Sequence, residues 1–116
     1  APCRASIVWT PEGGFEQEGS MDAGSSRDTL ALAKKFESEQ KYSEALKAYR
    51  TGARKYPNSF VAAELHYGWA RMVEIEGDYA RAFKIHKTIV ERYPNTEYFD
   101  KALENMFVIA NLFLAG

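Results

Sequence analysis

The amino-acid sequence predicts an all-α protein built as a solenoid of about five antiparallel helices, with an extended N-terminal arm. The main observation is an internal repeat: residues 33–59 return as residues 70–96, and 10 of the 27 aligned positions are identical. A fixed period of this length is typical of stacked structural repeats. Apolar residues at helical spacing inside each repeat support the same fold class. Stacked repeats present extended surfaces, so the pattern favours binding over catalysis.

The composition is that of one folded domain of ordinary size. The chain has 116 residues, 46% of them hydrophobic, which is enough to form a core. A formal net charge of −1 disfavours a nucleic-acid partner, which would require a strongly basic surface. No run of 18 apolar residues is present, so no membrane-spanning helix is predicted.

The first 27 residues differ from the rest and predict an extended arm or loop. A short β-branched and aromatic run is stopped by Pro11, and a stretch rich in Gly and Ser follows it. No partner strands are available to build a sheet. We therefore expect Ile7, Val8 and Trp9 to dock on the helical body as an arm, or to be held only in a larger assembly.

The N-terminus also bears on localisation. The chain begins Ala-Pro without an initiator Met, as a chain does after a signal peptide is removed, although an expression product could begin in the same way. The single cysteine, Cys3, excludes an internal disulfide framework and a multi-cysteine metal site. Lipid attachment at Cys3 and an unmodified thiol both stay open, and the position of Pro2 favours the thiol.

Residues 28–116 carry the helical pattern. Residues 28–59 and 60–96 form two repeats, and 97–116 form the first helix of a third. In the first helix, Ser26 or Asp28 can cap the N-terminus, and Leu32, Ala33 and Phe36 share one face. Proline and the Asn-Ser or Asn-Thr pair after it end each second helix and cap the next. The remaining helices are predicted over 43–55, 60–76, 79–92 and from 98 onward.

The last helix is apolar nearly all round between Ala102 and Leu114, which predicts burial on more than one side. The first and third helices each precede a partner helix, whereas the fifth reaches Gly116 where its turn is due. We expect a third repeat that is cut in half. The alternative left open is a natural C-terminus whose last helix packs in a dimer.

Small and large residues alternate in a recognisable order within each repeat. Small residues recur where helices approach closely: Ala33, Ala45, Ala70 and Ala82. Large residues lie between them, and Pro57 and Pro94 close the repeats. This order resembles the tetratricopeptide repeat, whose usual length is about 34 residues. Here three further residues follow each proline.

The longer junction resembles a subset found in bacterial envelope proteins, in particular BamD-type outer-membrane assembly lipoproteins. The resemblance covers residues 28–116, but Cys3 is poorly placed for a lipid anchor and the arm has no counterpart in the pattern. It implies a periplasmic, outer-membrane-associated scaffold that binds other proteins or extended peptide segments during β-barrel assembly. The alternative is a generic periplasmic adaptor, for example one that coordinates cell-wall synthesis.

The sequence contains no recognisable catalytic or cofactor-binding constellation, so we expect neither an enzyme nor a cofactor. His66 and His86 lie on different predicted helices without metal-ligand spacing. His86 takes the place of Tyr49 in the repeat and is predicted to be a packing residue, while His66 is expected at the surface or partly buried. Glu37, Glu39, Glu74 and Glu76 are predicted to be solvated, with Glu37 or Glu74 available to pair with a base.

The resemblance implies a partner-binding groove along the first helix of each repeat. Lys34 and Arg71 are equivalent basic positions, and Tyr67 lies one turn from Arg71. This arrangement suits an extended peptide with a terminal carboxylate or aromatic side chains, and the alternative is an ordinary solvated surface. By the repeat register the predicted groove residues, besides Leu30 and Phe107, are Arg27, Lys34, Glu37, Glu64, Tyr67, Arg71, Glu74, Glu104 and Asn111.

Overall fold

The computed structural model describes the backbone of residues 19–115 and the side chains of residues 25–114. Its helices are α1 (Gly19–Ser38), α2 (Tyr42–Lys55), α3 (Ala62–Ile75), α4 (Tyr79–Arg92) and α5 (Tyr98–Ala115). Each helix packs against the next along the chain, and α3 also contacts α5. The all-α class with five sequential antiparallel helices is therefore confirmed. The docking of Ile7, Val8 and Trp9 and the state of Cys3 lie outside the described residues.

The start of α1 corrects the sequence prediction. The helix begins at Gly19, so residues 19–27 are helical rather than part of an extended arm, and neither Ser26 nor Asp28 is its N-cap. Ser26 is fully buried, and its repeat equivalent Ala63 is also buried. Ser26, which belongs to the Gly- and Ser-rich stretch that predicted a loop, thus supplies a small side chain to the packed interior. Tertiary contact outweighs a weak helix propensity here.

The 37-residue period is reproduced in the backbone. α2 and α4 have 14 residues each and begin at equivalent tyrosines. The turn after α1 and the turn after α3 use the same hydrogen bonds, with Gln40 N donating to Glu37 O and Gly77 N donating to Glu74 O. Gln40 and Gly77 both have positive φ, 62° and 86°. The repeat therefore specifies local geometry and not only helix content.

Equivalent junctions follow α2 and α4, and they also pack on each other. The Tyr93 hydroxyl donates a hydrogen bond of 2.6 Å to the carbonyl oxygen of Pro57, which joins the second Tyr-Pro junction to the first. The predicted side-chain cap of α3 is wrong. Its N-cap residue is Val61 without a side-chain cap, and the Ser59 Oγ instead accepts from the Val61 backbone N–H.

The core follows the alternation of small and large residues. The four alanines at close helix contacts, Ala33, Ala45, Ala70 and Ala82, are completely buried. Tyr49, Leu65, Met72 and Val73 fill the space between them. The sequence prediction fails at Leu32, which was expected to pack with Ala33 but is half exposed. It also fails at Leu30, which lies in the core rather than in a groove.

One side of α5 is apolar and open. Phe107, Val108, Leu112, Phe113 and Leu114 are all exposed, while Ala102 and Ile109 on the other side are buried. The predicted burial of α5 on more than one side is thus not met within the described residues. None of the described helices is long and apolar enough to cross a membrane.

Candidate functional site

The predicted groove residues lie mainly on a polar surface shared by α1, α3 and α5. Ion pairs join α1 to α3, and aromatic and amide contacts join α3 to α5, so the three helices lie side by side. We call this surface the odd-helix face. Its central side chains are Lys34, Glu37, Glu64, Tyr67, Arg71 and Asn105.

Glu37 is the best-connected carboxylate of the odd-helix face. Both of its oxygens accept from the Arg71 guanidinium of α3, and Oε1 also accepts from the Tyr49 hydroxyl of α2 at 2.7 Å. Burial alone would raise the pKa of Glu37, but the hydrogen bonds from Arg71 and Tyr49 outweigh it and lower that pKa. The predicted pairing of Glu37 with a base is confirmed, and the prediction of a freely solvated Glu37 is wrong.

Lys34 makes a second bridge between α1 and α3. Its Nζ lies 2.6 Å from the Glu64 Oε2. Burial and the nearby negative charge of Glu64 raise the pKa of Tyr98 on α5 to about 12. The equivalent bases Lys34 and Arg71 are therefore each matched to a carboxylate of the neighbouring helix. An incoming carboxylate has to compete with Glu64 and Glu37 for them.

Tyr67 lies at the centre of the odd-helix face and contacts two residues of α5. Its ring lies 5.2 Å from that of Tyr98, and its hydroxyl oxygen accepts from the Asn105 Nδ2 at 3.2 Å. The sequence register expected Glu104 in this region, but the neighbouring Asn105 makes the contact. The junction before α5 repeats the backbone hydrogen bonds of the junction before α3, with Thr96 N donating to Tyr93 O and Phe99 N donating to Thr96 O, so the period of 37 is kept there. Tyr98 and Asn105 are thus site residues that the register missed.

Glu104, Asn111 and Arg27 are exposed. None of these three makes a hydrogen bond or ion pair that places it on the odd-helix face within the described part of the chain. Phe107 is also exposed, on the open apolar side of α5. The structure therefore brings together Lys34 and Glu37 of α1 with the predicted residues of α3, but not Arg27 or the predicted residues of α5.

Glu74 repeats the role of Glu37 with a different partner. Its Oε2 accepts from the His86 Nε2 of α4 at 2.7 Å, just as Glu37 accepts from Tyr49. The two pairs are repeat equivalents, and 12 residues separate the partners in both. His86 is fully buried, which confirms its predicted packing role, while the solvated Glu74 of the sequence prediction is wrong. The His86 Nδ1 is buried without a hydrogen-bond partner among the described groups.

His66 also departs from its prediction. It is buried rather than at the surface, and its Nδ1 lies 2.8 Å from the Ala62 carbonyl oxygen, to which it donates. Its ring packs 5.3 Å from the ring of Tyr93. Burial lowers the pKa of His66, and the positive charge of Arg92 lowers that pKa further. Glu39 and Glu76 are exposed as predicted.

The described residues contain no group of three or more His, Cys, Asp or Glu side chains that could hold a metal ion. Comparisons of the chain with protein-family models, with curated proteins and with solved structures found no match in any of the three. The class that the fold defines is a helical repeat protein. A more particular assignment depends on the repeat pattern and on the geometry of the odd-helix face.

Proposed function

We propose that the protein is a binding scaffold whose odd-helix face receives an extended peptide segment of a partner protein. The observation that carries the proposal is that Lys34 and Arg71 are both exposed to solvent and both held in place by an ion pair. Their side chains are 56% and 43% exposed although each is held by a glutamate of the neighbouring helix. Side chains fixed before binding lose less conformational entropy when a partner arrives. Tyr67 between them offers a flat, partly buried ring to the same partner.

The finer proposal is a tetratricopeptide-type scaffold of the bacterial cell envelope, similar to BamD-type proteins and active in outer-membrane β-barrel assembly. Its support is the 37-residue repeat with a Tyr-Pro-Asn junction after each second helix. The alternative is a periplasmic adaptor that coordinates cell-wall synthesis. The first role places the protein in the periplasm in association with the outer membrane, and the alternative places it in the periplasm. The open apolar side of α5 offers a surface for the dimer that the sequence left as an alternative.

Site-specific photocrosslinking tests the proposal. A photoreactive phenylalanine analogue replaces Tyr67 on the odd-helix face, and the matched control places it at Tyr79, a partly exposed tyrosine of α4. Irradiation of the native envelope fraction is expected to capture partners at position 67 and not at position 79. Recovery of a β-barrel insertase supports the assembly role, and recovery of cell-wall synthases supports the adaptor role. Equal capture at both positions contradicts a binding role for the odd-helix face.

A charge variant tests the contribution of Lys34. Lys34→Gln removes the exposed cation and keeps a side chain able to bond to Glu64, so the fold is expected to persist. Loss of at least tenfold in affinity for the captured partner is expected, since charged contacts at a binding surface are worth about 1.4 kcal/mol or more. Lys87→Gln on α4 is the matched control. Unchanged affinity in Lys34→Gln contradicts the proposed groove.

A further inference from the structure

A cavity of about 250 Å³ opens between α2, α3 and α4, away from the odd-helix face. Arg54 of α2 lies over the ring of Trp69 of α3, 5.3 Å from its centroid, at one side of the cavity. Arg81 and Lys84 line it from α4, and because they are three residues apart they project from the same side of that helix. We call this cavity the basic pocket.

The positive charges of the basic pocket are not balanced by ion pairs. Within the part of the chain that the structure describes, no carboxylate forms a salt bridge with Arg54, Arg81 or Lys84. Asp78 is the N-cap residue just before α4, and its Oδ1 accepts from the backbone N–H of Arg81. Three cations around one aromatic wall therefore remain available to an anion.

The repeat supplies an internal comparison. An equivalent cavity of about 390 Å³ lies between α1 and α2. There Glu44 stands in the place of Arg81, and Lys47 in the place of Lys84, so the two charges cancel. The positive lining is thus a property of the second repeat and not of the repeat architecture. A fold requirement alone does not explain it, because the first repeat folds in the same way with the opposite charge at position 44.

We propose that the basic pocket binds the phosphate group of a small amphipathic ligand. Guanidinium groups such as those of Arg54 and Arg81 bond to two phosphate oxygens at once, and a lysine adds a further charge-assisted hydrogen bond. A phosphate monoester carries up to two negative charges, so it matches three cations better than a single carboxylate does. Trp69 and Ile85 line the pocket beside these cations and give the organic part of the ligand an apolar wall.

The fluorescence of Trp69, which lines the basic pocket, reports ligand binding in this test. The chain has two tryptophans, so Trp9→Phe leaves Trp69 as the single fluorophore. Phenyl phosphate is titrated against this variant, with benzoate as the carboxylate counterpart of similar shape. A saturable change in Trp69 emission is expected, with phenyl phosphate at least tenfold tighter than benzoate. Absence of saturation with phenyl phosphate overturns the proposal, and so does equal affinity for the two compounds.

A matched pair of charge reversals distinguishes binding in the basic pocket from an effect of the protein's net charge on affinity. Arg81→Glu restores the residue type of the first repeat and is expected to weaken phenyl phosphate binding at least tenfold. Lys47→Glu makes the same change in net charge at the equivalent cavity of the first repeat and is expected to alter affinity less than twofold. Equal weakening by both overturns the proposal. Arg54→Gln, a milder change near the end of α2, gives a second variant, and circular dichroism confirms the fold of each.

The source of the phosphate is distinguished with vesicles. Phosphatidylcholine vesicles with and without phosphatidic acid are mixed with the Trp9→Phe variant and with its Arg81→Glu derivative. A Trp69 response that requires both phosphatidic acid and Arg81 assigns the pocket to a lipid headgroup. A response to phenyl phosphate alone assigns it to a free phosphate monoester. A response that persists in the Arg81→Glu derivative contradicts the role of the basic pocket.

Discussion

Gly68 of α3 lies against the ring of Tyr49, and the substitution Gly68→Ala tests how tightly the first and second repeats are packed. A Cβ at position 68 would lie 2.3, 2.5 and 2.6 Å from three carbon atoms of the Tyr49 ring, whereas ordinary contact begins at 3.4 Å. The ring has to retreat by about 1 Å, and overpacking of this kind costs about 1–3 kcal/mol. Movement of the ring also endangers the 2.7 Å hydrogen bond from Tyr49 to Glu37.

The total effect of Gly68→Ala follows from these two contributions. A hydrogen bond to a charged acceptor is worth about 1.5–3 kcal/mol, so with the overpacking cost a loss of about 2.5–6 kcal/mol in the free energy of unfolding is expected. Alanine has the higher helix propensity, which offsets at most about 1 kcal/mol. Urea denaturation followed by circular dichroism measures the change, and the slope of the transition is expected to stay the same.

A double-mutant cycle assigns the loss to the contact. In the Tyr49→Leu background the ring is absent, so adding Gly68→Ala is expected to cost less than about 1 kcal/mol. Tyr49→Phe keeps the ring and loses only the hydroxyl, so Gly68→Ala is expected to remain destabilising there. An unchanged denaturation midpoint in Gly68→Ala refutes the reasoning. An equal loss in the Tyr49→Leu background refutes it as well.

Further changes exploit the repeat and the pKa directions. Lys41→Asp copies the capping residue Asp78 at an equivalent N-cap, and thermal unfolding is expected to show a gain of about 0.5–1 kcal/mol. Gln40→Gly relieves a φ of 62° and is expected to stabilise by up to about 1 kcal/mol in the same assay. Because the folded pKa of His66 is lowered from 6.5, the unfolded state binds more protons, and stability falls as pH drops through about 6.5. His66→Gln is expected to flatten that loss in denaturation measured at several pH values. The folded pKa of Glu37 is lowered from 4.5, so its contribution is present above pH 4.5 and lost as pH falls below it. Glu37→Gln is expected to remove this acid-dependent component, and an unchanged acid profile contradicts the paired carboxylate.

The helix boundaries after residue 40 were predictable because they depend on local signals. The proline junctions, the two turns and the helical spacing of apolar residues all act within a few residues, and α4 lies at 79–92 as predicted. The beginning of α1 was not predictable in this way. Its Gly- and Ser-rich segment has low helix propensity, and the burial of Ser26, where a small side chain is needed, depends on tertiary packing.

The site was partly predictable from the repeat. Glu37 and Glu74 are identical at equivalent positions, which is a signal of a shared structural role, although both were expected to lie on solvated helix faces. Their partners, Tyr49 and His86, are also equivalent, so the two pairs together could have been found from the period alone. The contact between Tyr67 and Asn105 could not, because the equivalent positions of the first repeat are Leu30 and Gly68, whose side chains make no hydrogen bond.

The sequence by itself determined the all-α class, the period of 37 residues and the order of helices and turns. These properties follow from helical periodicity, proline and turn residues, whose effects are local. The tertiary structure alone decided which charges meet. Lys34 with Glu64, Glu37 with Arg71, and the unbalanced cations of the basic pocket depend on how neighbouring helices rotate and pack. Residue spacing within one helix does not specify that rotation, because it is settled by how side chains of different helices interlock.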